Sequence, residues 1–237
     1  MSAFKTHFNL SPEEYAAHRG GVVEQRRHQE VLSLLEKPLS QVRSVVELGC
    51  GPGKFLADIA RLYPDVSFTG IDTDARMIEH ASRTYRMPNL AYALRDVSRE
   101  KTDLVCQLLF SIDVIHHVHD FPAFFQAVHR MLSPGGIWLA IEPNIYHPYI
   151  YYSQERMRRA GFDEDHFRPW AAERRFLEAG FTIASRRYLS LFPGWLPRLP
   201  RFFMQMEKLL ENARFLGGSV VYRLIADPRR SKDESGT

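Results

Sequence analysis

Only two cysteines, Cys50 and Cys106, occur in the 237 residues. They do not amount to a disulfide framework, and they fit a reducing compartment. Near the N-terminus no apolar run is long enough for a leader or a membrane span, so the cytoplasm is the expected location. One-sided charge is also scarce. The formal net charge is +3, which lacks the global electrostatic signature of a nucleic-acid binder. There is no internal repeat to suggest a solenoid. A hydrophobic share of 45% over this length fits one globular domain, or one domain with an insert.

What is present is concentrated between Val45 and Phe55. Val45, Val46 and Leu48 read as the end of a buried strand. Gly49, Gly51 and Gly53 follow at every second position. No G-K-[ST] comes after them, which excludes a P-loop, and the spacing is one residue short of the dinucleotide pattern G-x-G-x-x-G. Lys54 to Tyr63 has helical spacing, with Phe55, Leu56, Ile59 and Leu62 on one face. Strand, glycine turn and helix form either a tight turn alone or a device that brings a ligand against bare backbone and free helix N–H groups. Glu47 stands where a carboxylate would meet a cationic ligand. Further on, Ser67 to Asp72 reads as a second short strand ending in an acid. That acid is placed to accept hydrogen bonds from ribose hydroxyls, or alternatively to cap the next helix.

Glu47, the glycines and Asp72, in this order, resemble the class I S-adenosylmethionine-dependent methyltransferases. Three further segments extend the resemblance. Leu94-Arg95-Asp96-Val97 is similar to the third-strand acid that faces adenine. Phe110 to Asp120, containing Ser111-Ile112-Asp113-Val114-Ile115-His116-His117, is similar to the fourth-strand exit. Met131 to Glu142, containing Pro134-Gly135-Gly136, is similar to the turn and strand that follow. One departure stands out: Gln107 occupies the place where family members often begin strand four with Asp.

The resemblance implies a Rossmann-like, doubly wound α/β fold. Its mostly parallel seven-stranded sheet would carry a late antiparallel pair at one edge, N-terminal helices and a helical, aromatic substrate cap. The cofactor would be S-adenosylmethionine, with S-adenosylhomocysteine as product. Its binding residues would be Glu47, Gly49, Cys50, Gly51, Gly53, Asp72, Thr73, Asp96, Val97, Ser111 and Ile112. The reaction would be methyl transfer to a small molecule, with oxygen on a lipophilic or aromatic metabolite as the preferred acceptor. His116 and His117 are the candidate bases, because imidazole titrates near neutral pH; packing or hydrogen bonding is the competing role. Glu142 is a second candidate for catalysis or acceptor binding. The histidines lack the cysteine or further ligand that a metal site needs, so no metal is expected.

The periodicity predicts helices over most of Pro12–Lys37, with Ser11 as N-cap, Glu14 in the capping-box position, and Pro38 ending the second helix. Strands are expected at 42–48, 66–71, 90–94, about 105–111, 136–142, 181–191 and 219–226. Helices are expected at 54–63, 74–85, 121–132, 155–160 and 169–179. Residues 1–41 would form a helical cap, 42–144 the cofactor-binding core, 145–227 the remaining strands with cap insertions, and 228–237 a disordered tail.

Acceptor choice would reside outside the core, with Tyr15, Asn144, Tyr146 and Tyr149 as substrate-binding candidates. Tyrosine suits an apolar pocket with polar tips, though these residues serve equally as the core of a cap. Between Tyr151 and Arg201 ten arginines face six acids, an excess that either favours an anionic acceptor or simply solvates a face. Leu199, Phe202, Phe203, Met206, Leu209 and Leu210 form an apolar stripe within 191–216. It is readable as a lid, a dimer interface in a monomer-or-homodimer protein, or a peripheral membrane contact. The balanced charge and the absence of an N-P-P-Y-like signature at Ser111–Val114 argue against methylation of nucleobase amines. Methylation of RNA or protein, and a non-catalytic cofactor-binding scaffold, remain the rival readings.

Overall fold

The computed structural model describes residues 10–19, 22–159, 168–189, 213 and 216–227. Seven strands form one sheet in the order β3-β2-β1-β4-β5-β7-β6. They are β1 (Ser44–Leu48), β2 (Ser67–Asp72), β3 (Leu90–Leu94), β4 (Cys106–Ile112), β5 (Leu132–Pro143), β6 (Phe181–Leu189) and β7 (Ser219–Ala226). The first five pair in parallel, and β7 runs antiparallel between β5 and β6. The expected doubly wound sheet with a late antiparallel element is therefore the observed one. The order reverses at β1, with β2 on one side and β4 on the other, and that reversal opens a crevice beyond the strand ends.

Seven helices accompany the sheet among the described residues: α1 (Pro12–Arg19), α2 (Val22–Leu39), α3 (Lys54–Leu62), α4 (Ala75–Thr84), α5 (Phe121–Arg130), α6 (Pro148–Arg159) and α7 (Pro169–Glu178). One apolar core gathers Leu35 and Leu39 of α2, Leu56 and Ile59 of α3, and Phe68, Leu108 and Phe110 of the strands. The other gathers Phe124 and Phe125 of α5, Phe176 of α7, and Trp138, Phe181 and Tyr222. Alternation along the central strands supplies both: Val45 joins the first core, and Val46 and Leu48 the second. The indole of Trp138 is fully buried and donates its N–H to Oγ of Ser111 at 3.1 Å, which satisfies both polar groups.

Helix α1 starts as its sequence predicts. Glu14 N–H donates to Ser11 Oγ at 3.1 Å, and Ser11 N–H donates to a Glu14 carboxylate oxygen at 3.0 Å. Several boundaries differ from expectation. Pro38 lies inside the last turn of α2 instead of ending it. Strand β5 begins at Leu132, because the chain keeps pairing with β4 on both sides of a bulge: Cys106 pairs with Leu132 and Leu108 with Ile137. Within that bulge Gly135 has φ +76°. Helix α6 starts at Pro148, well before the predicted 155, with proline in its first turn. Tyr149, Ile150, Tyr151 and Tyr152 are aromatic or β-branched, and such residues mask a helix start. The stripe in 191–216 lies outside the described residues apart from 213 and 216, and the tail 228–237 lies outside them entirely. Among the described residues no helix is long and apolar enough to cross a membrane.

Candidate active site

The glycine turn joins β1 to α3 at the point where the strand order reverses. The N–H groups of Gly49 and Cys50 both donate to the carbonyl of Ile71, at 2.8 and 3.1 Å, so the turn lies across the end of β2. Gly49, Gly51 and Gly53 have φ of +72°, +52° and +79°. A Cβ on Gly49 would collide with Cγ2 of Val114, and one on Gly53 would lie 2.7 Å from Ala81 Cβ and the Tyr92 hydroxyl. The Tyr92 hydroxyl donates to the Gly53 carbonyl at 3.0 Å. Gly49→Ala therefore meets both a steric and a conformational penalty, and we expect a loss of about 2–4 kcal/mol in denaturant titration. An unchanged midpoint would mean that Val114 yields at no cost.

Gly51 faces another way: among the described residues, the one atom near its missing Cβ is Cε1 of Tyr15, at 3.5 Å. Its N–H donates to Oδ2 of Asp72 at 2.8 Å, and Oδ1 of the same carboxylate accepts from Asp74 N–H at 2.9 Å. Burial raises the pKa of Asp72, and these backbone donors oppose the rise. Each carboxylate oxygen has capacity for a further hydrogen bond. The Asp72 side chain does not cap the next helix; Asp74 does, accepting from Arg76 N–H. Glu47 is buried, on the same strand face as Val45. Cys50 lies between Glu47 and Asp72, and burial followed by these two carboxylates pushes its thiol well up, so it is an inert packing group. Thr73 is exposed at the rim, and Ile112 is half-buried at the end of β4. The first turn of α3 has no side-chain cap. Open backbone at Gly51, an uncapped helix start and a carboxylate with spare lone pairs fit the amino-acid and ribose parts of a nucleoside-type methyl donor.

At the exit of β4 the chain turns sharply. Asp113 has φ +57°, the one positive value outside glycine among the described residues. The turn sends three successive N–H groups onto Glu142: Val114 and Ile115 donate to Oε1 at 2.9 and 2.8 Å, and His116 to Oε2 at 3.4 Å. Oε2 also lies 2.7 Å from His116 Nδ1, which places that ring's proton on Nδ1. His117 is half-buried, with its ring centroid 4.0 Å from that of His116. His119 is exposed, and no metal-binding cluster occurs among the described residues.

The structure places the remaining expected site residues as follows. Glu142 is fully buried and engaged by the β4 exit, so it shapes the site and does not face an acceptor. The Ser111 side chain is spent on Trp138 in the core, with no exposure to a cofactor. Val97 is buried among Leu48, Ile71 and Leu109. Asn144 is fully buried as a clamp: its amide donates to Gly217 O at 2.8 Å and its backbone N–H to Gly218 O at 2.9 Å, which ties the end of β5 to the start of β7. Asp96 spends one oxygen on Ser98, through backbone N–H at 3.0 Å and hydroxyl at 2.5 Å, and pairs with Arg99 at 3.3 Å. It remains half-exposed at the end of β3. Tyr146 stacks on Trp170 at 5.1 Å, and Tyr149 is exposed on α6. The sequence reading missed Asp113, and a strand-ending Asp just before the paired histidines was the available signal.

Residues 45–136 match a family model described as a methyltransferase domain. Over those residues the chain is similar to methyltransferase domains. The trans-aconitate 2-methyltransferase of Methylobacterium radiotolerans is 33% identical over 50% of this chain and 45% of its own length. That of Methylobacterium nodulans is 31% identical over 69% of this chain and 59% of its own. The chain thus spans about half the length of the curated relatives it matches. Two solved structures share the fold. One is an O-methyltransferase of a Brevibacillus brevis polyketide synthase in complex with S-adenosylhomocysteine (TM-score 0.63, 16% identity, covering 97% of this chain and 82% of that one). The other is the N-methyltransferase NodS of Bradyrhizobium japonicum, also with S-adenosylhomocysteine (TM-score 0.60, 20% identity, covering 88% and 89%). The glycine turn and the Glu142–His116–His117 cluster lie together at the carboxyl ends of the neighbouring central strands β1, β4 and β5.

Proposed function

We propose that this protein transfers the methyl group of S-adenosylmethionine to an oxygen of a small lipophilic or aromatic acceptor. The observation that carries this reading is the open backbone at Gly51 beside the Asp72 carboxylate, one strand away from the histidine-bearing turn after β4. When bound, the cofactor supplies an electrophilic methyl on sulfur. Asp72 would accept from the ribose hydroxyls and the turn and the α3 start would hold the amino-acid part, with Glu47 a buried carboxylate on β1. Asp96 remains the proposed partner of the adenine. The protein contributes proximity and orientation above all.

If the donor supplies its methyl group to an acceptor hydroxyl, that hydroxyl must give up its proton. His117 takes that proton, steadied by the His116 ring that Glu142 holds. Removing a general base typically costs 10²–10⁴-fold, so His117→Ala should lower turnover about a hundredfold. Affinity for S-adenosylhomocysteine should stay within about twofold. Equal turnover in a labelled-methyl assay would remove His117 as a base.

A small carboxylate acceptor is the second reading, suggested by the relatives named for trans-aconitate. The test is calorimetry with S-adenosylhomocysteine, followed by labelled-methyl transfer to panels of phenols, hydroxylated lipids, small carboxylates, bulk RNA and protein. No binding would refute the proposal. Transfer to RNA or protein alone would replace the small-molecule acceptor. Binding without transfer to any class would favour a scaffold.

A further inference from the structure

Gly49 and Gly53 are backed by Val114, Ala81 and Tyr92, whereas among the described residues Gly51 meets the ring of Tyr15. Among the described residues, the roof of the open part of the turn is thus Tyr15 of α1. The same helix carries Glu13, whose Oε1 lies 3.1 Å from Nδ1 of His80 on α4 and 3.9 Å from the Arg83 guanidinium. His80 is largely covered, with 11% of its side chain exposed, and Tyr85 packs edge-on against its ring. Its Nδ1 faces the Glu13 carboxylate, where a ring N–H can donate. Glu13 in turn is held as a carboxylate, its pKa lowered first by its own backbone hydrogen bond and also by His80. The reciprocal Ser11–Glu14 bonds stiffen the first turn of α1, so anchoring Glu13 also places Tyr15 two residues later.

We propose that Glu13 and His80 are positioning residues, forming a clamp from α1 to α4 that holds Tyr15 over Gly51 and sets how fast the methyl donor and its product exchange. This rests on the donor binding at the glycine turn. Neither residue touches the reacting atoms, and their effect passes through Tyr15.

The test is stopped-flow release of S-adenosylhomocysteine from the full chain, with hydrogen exchange of the α1 amides measured alongside. Glu13→Ala and His80→Ala should each release product about three- to tenfold faster, and Glu13→Ala should melt close to wild type, because its side chain is 62% exposed. Glu13→Gln, whose amide oxygen still accepts from Nδ1, should restore most of the slow release. Release within about twofold of wild type in both alanine variants overturns the clamp, whatever the exchange rates show. Wild-type protein that fails to bind S-adenosylhomocysteine in calorimetry would sink the donor site and the clamp together. Binding with unaltered release would sink the clamp alone.

Discussion

Glu142→Ala should cost the folded protein about 3–5 kcal/mol, the range seen when one partner is taken from a buried, hydrogen-bonded ionic group. The carboxylate is fully buried and accepts from three backbone N–H groups and the His116 ring. Its removal strands these donors where water cannot replace it. The β4 exit would lose the anchor that keeps Asp113 in a left-handed conformation and sets His116 and His117 at the crevice. Glu142→Gln separates fold from chemistry. Its amide oxygen can still serve Val114 and Ile115, but its N–H group then faces His116 Nδ1 and moves the ring proton to the other nitrogen. We expect a loss of about 1–2 kcal/mol for this variant, with turnover falling at least about tenfold and donor affinity near wild type. Urea titration measures the first quantity and labelled-methyl transfer the second. An alanine variant as stable as wild type would show that the Glu142 network contributes nothing net.

Asp72→Ala should weaken S-adenosylhomocysteine binding by more than about tenfold, since hydrogen bonds to a charged acceptor are worth about 1.5–3 kcal/mol. The same carboxylate accepts from Gly51 and Asp74, so its loss also loosens the turn. Asparagine should not rescue, because its amide N–H₂ would confront one of those backbone donors. The pH dependence follows from the raised pKa of Asp72, whose chief cause is burial. Ribose recognition needs the carboxylate, so affinity should decline on acidification through a pKa above the ordinary 3.8. Stability moves the other way for this group. A carboxyl whose folded pKa lies above its unfolded value contributes stability below the unfolded pKa and loses it as pH rises through the folded one. Donor affinity falling while the Asp72 contribution to stability rises would be the signature of the raised group. Calorimetry across pH on wild type and Asp72→Ala reads it, and an acid limb common to both would assign the effect elsewhere.

The fold was legible because its signals are local. Strand β3 and strand β7 lie where their apolar runs end, the Ser11–Glu14 capping box forms as spaced, and Gly49, Gly51 and Gly53 take the positive φ that only glycine adopts cheaply. Misreadings arose where a boundary depends on a partner. Strand β5 runs back to Leu132 because β4 offers it a ladder across a bulge, and α6 begins among tyrosines that favour strands.

The candidate site was legible in its residue list but not in its division of labour. Ser111, Asn144 and Glu142 all stand at or near strand ends, where family resemblance assigns ligand contacts. Which way a side chain points at a strand end, and what covers it, are set by neighbours distant in sequence. Trp138 claims Ser111, the Gly217–Gly218 turn claims Asn144, and the β4 exit claims Glu142. The sequence by itself determined the order of strands and helices, the glycine turn and the acid that follows it, because those depend on periodicity and on the conformational freedom of glycine. Only the tertiary structure decided that Glu142 shapes the site from within and that Tyr15 roofs Gly51, because burial and hydrogen-bond partnership are properties of packed neighbours.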